Sequence, residues 1–356
     1  MLTELLDYHL PERAIAQRPS PEREHAKLLV VNAAGVEHRR FADFGSLIPE
    51  GALLVLNDTR VRRARLRCRR PSGGAVELLL LERLNQTQGA EEWTALGRPN
   101  RALSEGARVE LAGAHFTVIR REPTGEIVVR AEGHGDMEAF LAAHGRTPLP
   151  PYIKRPADDA DDERYQTVFA AQVGSAAAPT AGLHLTQALL GALAARGVQI
   201  GYVTLHIGLG TFAPVRCDDL DQHPMHAEPF EVSEVLAEQI AAARQRGAPV
   251  VAVGTTVVRA LESARDPGRA GHVRACSEWT RLLIQPGHDF GVVDALLTNF
   301  HAPRSTLIAL VSAFAGQRRC AAAYATALGA GYRFLSYGDA MWLPARLPED
   351  LPRSRT

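Results

Sequence analysis

The pattern of apolar and polar residues changes at about residue 61, and the earlier pattern returns at about residue 147. Between these points the chain consists of short apolar or alternating runs, such as AVELLLLERL, HFTVIRRE and EIVVRAE, which glycine and proline separate. Runs of this length and spacing are typical of a small antiparallel barrel or sandwich. A β-rich body therefore interrupts the fold that the flanking residues build.

The flanking segments alternate runs of strand length with runs of helical periodicity. GALLVLN reads as a buried strand, LTQALLGALAARG as a helix that ends at Gly197, and VQIGYVTLHIG as the next strand. Later segments repeat this order, and Ser305 is placed to cap one of the helices. We predict a layered α/β domain from residues 1–61 and 148–356, interrupted by a small antiparallel β-barrel domain at 62–147. The acidic stretch 149–170 has the composition of an exposed connection.

Composition sets limits on partners and location. The chain has 356 residues, 46% of them hydrophobic, which is enough for two cores. Its 40 basic and 40 acidic residues balance, so a nucleic acid must be held by a local basic surface. The four cysteines form no CxxC pair, and no apolar run approaches the roughly 18 residues of a membrane helix. We expect a cytoplasmic monomer with no membrane partner.

An arginine run follows the first predicted strand. RVRRARLRCRR, at 60–70, holds seven arginines in eleven positions. As a strand, it would present Arg63, Arg65, Arg67 and Arg69 on one face, where they could follow a phosphate backbone or face solvent. Because no acidic residue interrupts the run, we favour RNA.

Three loops place polar residues just before a predicted helix or at the end of a predicted strand. They are GSAAAPTAGLHLT (174–186), VTLHIGLGTFAPVR (203–216) and AVGTTVVR (252–259). Their glycines permit close approach of a ligand, and their threonines and histidines offer hydrogen bonds. Ordinary helix capping also explains these residue types, and GLG lacks the GxGxxG pattern of dinucleotide sites.

HPMHAE, at 223–228, brings two histidines and a glutamate within six residues. His223, His226 and Glu228 would form a metal cluster or a proton-transfer site. The segment lacks the HExxH arrangement of zinc enzymes, so proton transfer is the better interpretation.

Nine blocks taken in order resemble the S-adenosylmethionine:tRNA ribosyltransferase-isomerases of queuosine synthesis. They are NDTRV, LPPYIKR, RYQTVFA, APTAGLHLT, TLHIGLGTFAPVR, HPMHAE, VGTTVVRALES, TNFHAPRSTL and YRFLSYGDAM. The resemblance extends from near the first residue to about residue 343. The sequence departs from the family pattern at Leu185, where phenylalanine is usual, at Val257, where serine is usual, and at Arg304, where lysine is usual.

The resemblance implies a reaction on tRNA that carries 7-aminomethyl-7-deazaguanine at the wobble position. S-adenosylmethionine would be consumed as cosubstrate: its ribosyl group would be transferred and isomerised, adenine and methionine would leave, and epoxyqueuosine would remain. The sulfonium acidifies the neighbouring ribose 5′ carbon, so the reaction needs a base, and the leaving adenine needs a proton donor. Histidines suit both tasks, and we expect no metal.

The resemblance also implies a set of site residues, matched block by block. The expected catalytic residues are His184, His206, His226 and Glu228. The expected cosubstrate-binding residues are Thr180, Gly182, Gly208, Gly210, Thr211, Thr255, Thr256 and Arg259. Further pocket residues are Asp58, Asn299, His301 and Asp339, and the residues expected on tRNA are Arg60, Arg63, Arg65 and Arg67.

Two other functions compete with this interpretation. A non-catalytic RNA-binding protein would explain the arginine run, but this function gives no reason for the many polar groups at the strand ends of the α/β domain. A metal-dependent hydrolase would use the HPMHAE cluster, and tightly bound zinc would then be expected.

Overall fold

The computed structural model describes residues 1–87, 89–123, 125–208, 210 and 215–347. Contacts within the chain divide it into two compact units. The α/β unit comprises Met1–Arg60, Pro150–Arg155 and the residues from Gln166 onward. The barrel unit comprises Val61–Leu149 and Pro156–Tyr165.

The strands are numbered in chain order through both units. They are β1 Lys27–Asn32, β2 Gly35–Arg40, β3 Leu53–Asn57, β4 Thr59–Val61, β5 Arg65–Arg69, β6 Ala75–Thr87, β7 Ala90–Arg98, β8 Arg108–Leu111, β9 Ala114–Arg121, β10 Ile127–Glu132, β11 Gln172–Ser175, β12 Gln199–Leu205, β13 Glu228–Val232, β14 Val250–Val253, β15 Cys276–Thr280, β16 Ala295–Asn299 and β17 Ala340–Leu343.

The helices are likewise numbered in chain order. They are α1 Phe44–Leu47, α2 Met137–His144, α3 Asp159–Arg164, α4 Gln187–Ala195, α5 Glu234–Gln245, α6 Thr255–Ser263, α7 Thr306–Ala315 and α8 Gln317–Gly329. None of those in the described ranges has the length and apolar character needed to cross a membrane. Three helices begin at hydroxyl caps that accept a backbone N–H three residues on, namely Thr186, Ser233 and Ser305.

The α/β unit is built on a nine-stranded sheet with the order β15-β13-β12-β3-β14-β16-β17-β1-β2. Side chains alternate between its two faces. On β3, Leu53 and Val55 join the core cluster that α5, α6, α7 and α8 cover, whereas Leu54 and Leu56 join the cluster under α1 and α4. Because both faces are buried, β3 is apolar almost throughout rather than alternating. The unit is therefore a three-layer α/β structure.

Four neighbouring strands, β12, β3, β14 and β16, run parallel. Their carboxyl ends therefore meet at one edge of the sheet, which is called the carboxyl edge below. In open parallel sheets, ligands bind in crevices outside this edge. Two of the three predicted polar loops follow strands of this set, β12 and β14, whereas the loop at 174–186 follows β11, which pairs with β4 in a separate two-stranded sheet.

The first strand of the sheet lies beside the last one. β1 pairs in parallel with β17, in the register Leu28 to Ala340, and β17 continues the sheet through an antiparallel pairing with β16. On its other side β1 pairs only with β2, the hairpin strand that forms the sheet edge. The sheet is thus completed by chain segments from opposite ends of the sequence.

The barrel unit contains a closed six-stranded barrel with the order β10-β7-β6-β5-β8-β9, and β9 and β10 close it. Antiparallel pairing holds its strands together throughout. Trp93, Phe116 and Leu66 are among the side chains that fill the interior. Reciprocal backbone hydrogen bonds join Arg65 and Arg146, which lie just inside the two ends of the inserted segment.

The predicted α/β layers and inserted antiparallel barrel are confirmed. The prediction of an exposed acidic connection was wrong in part. Asp158 and Asp161 form a capping box that starts α3, and the side chains of Asp161 and Tyr165 are buried within the barrel unit. The composition indicated polar residues there, but the side chains of Asp158 and Asp161 accept backbone N–H groups at the start of α3.

Candidate active site

Two clefts lie in the α/β unit, and Leu307 lines both of them. The lining of the threonine cleft includes Thr180, Thr255, Thr256, Asn299 and His301. The lining of the histidine cleft includes Gly210, His223, His226, Glu228 and Arg259. The structure therefore gathers ten of the residues noted in the sequence into two adjoining clefts.

The buried amide of Asn57 fastens together three segments at the carboxyl edge. Its Nδ2 donates to the Leu205 carbonyl at 3.0 Å and to Thr256 Oγ1 at 3.1 Å. Its Oδ1 accepts from the backbone N–H groups of Leu205 and Thr59, each at 3.1 Å. All four hydrogen-bonding positions of the amide are used, so Asn57 is a rigid brace.

A buried hydrogen-bonded chain links Thr180, Asn299 and His184. Thr180 Oγ1 donates to Asn299 Oδ1 at 2.8 Å, and Asn299 Nδ2 lies 3.4 Å from His184 Nε2. Burial, assisted by the positive charge of Arg333, lowers the pKa of His184 to about 3. His184 is therefore neutral at physiological pH and cannot serve as a proton reservoir there.

His301 is the second buried histidine beside the threonine cleft. Its Nε2 and Thr298 Oγ1 form a hydrogen bond of 2.8 Å. Burial lowers its pKa to about 3, so its ring is neutral as well. His301 lines the threonine cleft, so its neutral ring offers a ligand a hydrogen-bonding group rather than charge, whereas His184 is outside the linings of both clefts.

Helix α6 begins at the threonine cleft. Gly254 adopts a φ of 97°, which a residue with a side chain rarely does, and no side chain caps the first turn. Thr255 and Thr256 belong to this turn and line the threonine cleft, with their backbone N–H groups and hydroxyls. This end of the helix suits a polar or negatively charged group of a ligand.

Glu228 and Arg259 form a buried ion pair between the start of β13 and α6. The Glu228 side chain is 4% exposed and that of Arg259 is 6% exposed, so both charges depend on protein partners. Glu228 Oε1 also accepts the Gly208 N–H at 3.0 Å, and Arg259 Nε donates to the Leu282 carbonyl at 3.0 Å. The pair ties the loop after β12 to the wall of the histidine cleft.

His226 stands against the backbone of Gly210. A Cβ atom at Gly210 would lie 2.2 Å from Cδ2 of the His226 ring, so only glycine permits this packing. Burial and the neighbouring His226 charge lower the pKa of His223 in the same cleft. Among the described residues, no group of three or more His, Cys, Asp or Glu side chains is arranged to hold a metal ion.

His206 and two predicted pocket residues lie outside the linings of both clefts. His206 Nδ1 hydrogen-bonds with Thr59 Oγ1 at 2.7 Å. Asp58 accepts from Thr204 at 2.6 Å, and burial raises the pKa of its carboxyl. Asp339 accepts the backbone N–H groups of Lys27 and Arg333 at 2.9 and 2.7 Å, so it closes the turn before β17.

Two predicted glycines also have specific surroundings. Gly182 lies against Phe169 and Thr167, where a Cβ atom would come within 2.8 Å of the aromatic ring. Gly208 has open space around its Cα and donates to Glu228. Thr211, also predicted to bind the cosubstrate, lies outside the described residues.

The three residues that depart from the family pattern lie outside the linings of both clefts. Leu185 and Val257 are fully buried in the two core clusters, so neither position presents a side chain to a ligand. Arg304 adopts a φ of 52° and lies 3.8 Å from Asp7. A hydroxyl at position 257 would face the core rather than a cleft.

The structure separates the arginines that were predicted to face RNA. Arg63 precedes β5 instead of lying on it and pairs with Asp162, and Arg65 pairs with Glu77. The prediction of one stripe from Arg63 to Arg69 was therefore wrong at its first member. Arg67 and Arg69 are exposed and make no ion pair or side-chain hydrogen bond within the described residues. Arg60, in the α/β unit, is exposed on β4.

Several functional positions were missed in the sequence. Asn57 belongs to the NDTRV block, but only its neighbour Asp58 was predicted to lie in the pocket. Thr298 holds His301, and its signal was its position one residue before the strand end at Asn299. Leu307 lines both clefts, and an apolar residue inside a helix carries no sequence signal for that role.

Known proteins resemble this chain over nearly its whole length. A family model described as queuosine biosynthesis protein matches residues 3–343. S-adenosylmethionine:tRNA ribosyltransferase-isomerase from Sorangium cellulosum is 52% identical, with 96% of this chain and 98% of that protein covered. The protein of the same name from Anaeromyxobacter sp. strain Fw109-5 is also 52% identical, over 95% and 97% of the two chains.

A solved structure supports the same relationship. The S-adenosylmethionine tRNA ribosyltransferase of Thermotoga maritima is 32% identical, with a TM-score of 0.53 over 95% of this chain and 99% of that one. Identity of about half, sustained over nearly the whole length of several proteins, goes beyond a shared fold. The chain therefore belongs to the family of S-adenosylmethionine:tRNA ribosyltransferase-isomerases.

Proposed function

We propose that the two clefts at the carboxyl edge form the site where this enzyme consumes S-adenosylmethionine. The enzyme transfers and isomerises the ribosyl group onto 7-aminomethyl-7-deazaguanine at the tRNA wobble position, which yields epoxyqueuosine with loss of adenine and methionine. The observation that carries the assignment of the site is the buried Glu228–Arg259 pair beside His226 and the threonine cleft. A buried charge pair in a cleft, next to a histidine, is the environment in which proton transfer can be controlled.

The threonine cleft supplies neutral hydrogen-bonding groups. Thr180, Thr255 and Thr256 have hydroxyls there, and His301 and Asn299 complete a polar wall. We assign this cleft to the nucleoside portion of the cosubstrate, because ribose hydroxyls and adenine nitrogens are themselves uncharged donors and acceptors. Arg259, Gly208 and Gly210 complete the cosubstrate-binding site on the side of the histidine cleft.

Proton transfer falls to His226 in this proposal. The low pKa values of His184 and His301, about 3, make both poor general bases and leave them unprotonated, so neither can donate a proton to adenine at neutral pH. His226 lines the histidine cleft and is accessible. It takes the proton from the 5′ carbon that the sulfonium acidifies, and Glu228 orients the loop beside it. His206, with Thr59, is the second candidate for this role.

We assign contact with the tRNA backbone to exposed arginines. Arg67 and Arg69 project from the barrel, and Arg60 is exposed on the α/β unit. Guanidinium groups without acidic partners are available for phosphates, whereas those of Arg63 and Arg65 are already paired. A cytoplasmic location accords with four cysteines that form no disulfide with one another.

The test is a reaction with defined substrates. The purified chain is incubated with S-adenosylmethionine and tRNA carrying the aminomethyl precursor, and nucleosides are analysed by mass. We expect epoxyqueuosine and one adenine per tRNA converted. The matched control is the same tRNA with ordinary guanine at the wobble position, which lacks the amine and should release no adenine. Binding of tRNA without any cosubstrate consumption would instead favour a non-catalytic RNA-binding protein.

A further inference from the structure

One nitrogen of the Arg259 guanidinium has no hydrogen-bond partner in the part of the chain that the structure describes. Nε donates to the Leu282 carbonyl and Nη1 pairs with Glu228, but Nη2 is buried without a hydrogen-bond acceptor among the described residues. The side chain is 6% exposed. A buried charged donor without an acceptor is costly and uncommon, so its position calls for a ligand.

The surroundings of Arg259 define what such a ligand must look like. Glu228 lies beside the guanidinium, and apolar side chains of Met225, Ile284 and Leu310 line the same cleft. The pair has no net charge, so a purely anionic ligand such as a phosphate would meet the Glu228 carboxylate as well as the arginine. A zwitterion with a short apolar chain matches the charges of Arg259 and Glu228 and the apolar side chains that line the cleft.

We infer that this cleft binds the amino-acid end of S-adenosylmethionine. The α-carboxylate accepts from Arg259 Nη2, the α-ammonium lies toward Glu228, and the methylene chain runs along Met225 and Leu310. The inference rests on the proposed function, because it assumes that the adjoining threonine cleft takes the nucleoside.

The same cleft then recognises the methionine product. Methionine keeps the zwitterion and lacks the adenosyl group, so it should compete with S-adenosylmethionine and not with tRNA. A ligand with the amino group but no carboxylate should lose most of this recognition.

The experiment compares the binding of two cosubstrates by calorimetry. Decarboxylated S-adenosylmethionine retains the sulfonium, ribose and adenine and lacks only the carboxylate. We expect the wild-type chain to bind S-adenosylmethionine roughly 10- to 100-fold more tightly than the decarboxylated compound, the range for loss of one charge-assisted hydrogen bond. Arg259→Lys keeps a cation beside Glu228 but lacks the second nitrogen, so its preference should fall close to one.

The control is Arg244→Lys. Arg244 is another arginine paired with a carboxylate, that of Asp294, and it lies outside both clefts. This variant should keep the wild-type preference. Since the wild-type comparison changes only the ligand, it decides the matter even if Arg259→Lys does not fold.

The outcomes separate the two proposals. Equal binding of the two compounds by the wild-type chain would overturn the carboxylate site and leave the proposed reaction intact. A preference that persists in Arg259→Lys would also overturn the role of Nη2. Failure to bind S-adenosylmethionine at all would overturn both proposals.

Discussion

The hydroxyl of Tyr324 accepts a hydrogen bond from the backbone N–H of His301 at 3.0 Å, inside the protein. The hydroxyl of Tyr8 donates to the carbonyl of the same residue. The two tyrosine rings meet edge to face, with centroids 5.3 Å apart. Residues from opposite ends of the chain therefore hold the backbone on both sides of a histidine that lines the threonine cleft.

Tyr324→Phe should reduce both stability and catalysis. It leaves the buried N–H of His301 without an acceptor, which costs about 1–3 kcal/mol in the free energy of unfolding. The loss should also loosen the cleft, so KM for S-adenosylmethionine should rise. Urea unfolding and steady-state kinetics measure the two effects. The control is Tyr332→Phe, which removes a hydroxyl bonded to Leu28 outside the clefts. It should affect stability alone, and an equal rise in KM would contradict this account.

Gly210→Ala should lower activity more than stability. The new methyl group would lie 2.2 Å from the His226 ring, so the ring must move, and displacement of a reacting group by about 1 Å can cost on the order of 100-fold in rate. His226 is exposed, so its movement should leave the melting temperature nearly unchanged. Gly191→Ala is the matched control, since a Cβ atom there meets nothing within 4 Å. Full activity of Gly210→Ala would remove His226 from the mechanism.

Stability should fall as the solution becomes mildly acidic. Burial lowers the pKa values of His184 and His301 to about 3, whereas histidine in an unfolded chain titrates near 6.5. Between these values the unfolded chain binds more protons, so their contribution is complete above about pH 6.5 and is lost as pH falls toward 3. At pH 5 each histidine should cost about 2 kcal/mol.

Urea unfolding of the wild-type chain and of His301→Gln at pH 7.5 and pH 5 tests this prediction. The variant should lose less stability on acidification, because one of the two buried titrating groups is gone. His9→Gln, at an exposed position, serves as the control and should follow the wild type. Parallel behaviour of all three proteins would show that His301 does not titrate as stated.

Replacing Arg67 and Arg69 by alanine should weaken tRNA binding and leave S-adenosylmethionine binding unchanged. If each contacts one phosphate, the log–log salt dependence of tRNA affinity should become shallower by about 1.5, since each contact releases roughly 0.7–0.9 counterion. Arg63→Ala with Arg65→Ala is the matched pair. Those arginines already have acidic partners, so that double variant should change the thermal melt more than the salt slope. The reverse pattern would exclude the exposed pair as the RNA contact.

Activity should survive removal of metal ions. The sulfonium is already an activated leaving group, and within the described residues no group of three His, Cys, Asp or Glu side chains could hold a metal ion. Treatment with EDTA followed by the nucleoside assay is the measurement. Loss of activity that only added zinc restores would reassign His223, His226 and Glu228 to metal binding.

Local sequence signals predicted the parts of the fold that local forces determine. Apolar runs marked β3 and β14, and hydroxyl residues such as Ser305 marked helix starts. The pairing of Arg63 was not predicted because its acidic partner is distant in sequence: Asp162 is almost 100 positions from Arg63. A run free of acidic residues in sequence is not free of them in space.

The candidate site shows the same limit. The polar loops after β12 and β14 were recognisable because each follows an apolar strand, and parallel strands bring such loops together. The pairing of Glu228 with Arg259 was not predictable, since it depends on how β13 and α6 pack. The brace at Asn57 was missed for the same reason, because its partners Leu205 and Thr256 come from two other segments.

The position of β17 between β16 and β1 also determines when the molecule can finish folding during synthesis. β1 ends at Asn32 and β17 begins at Ala340, so at about 5–20 residues per second the ribosome separates them by roughly 15–60 s. The barrel strands, which span only Arg65 to Glu132, can close long before that. Until β17 arrives, one edge of β1 and one of β16 are unpaired, and both can capture other nascent chains. A stop codon just before β17 should therefore yield aggregates that contain folded barrels.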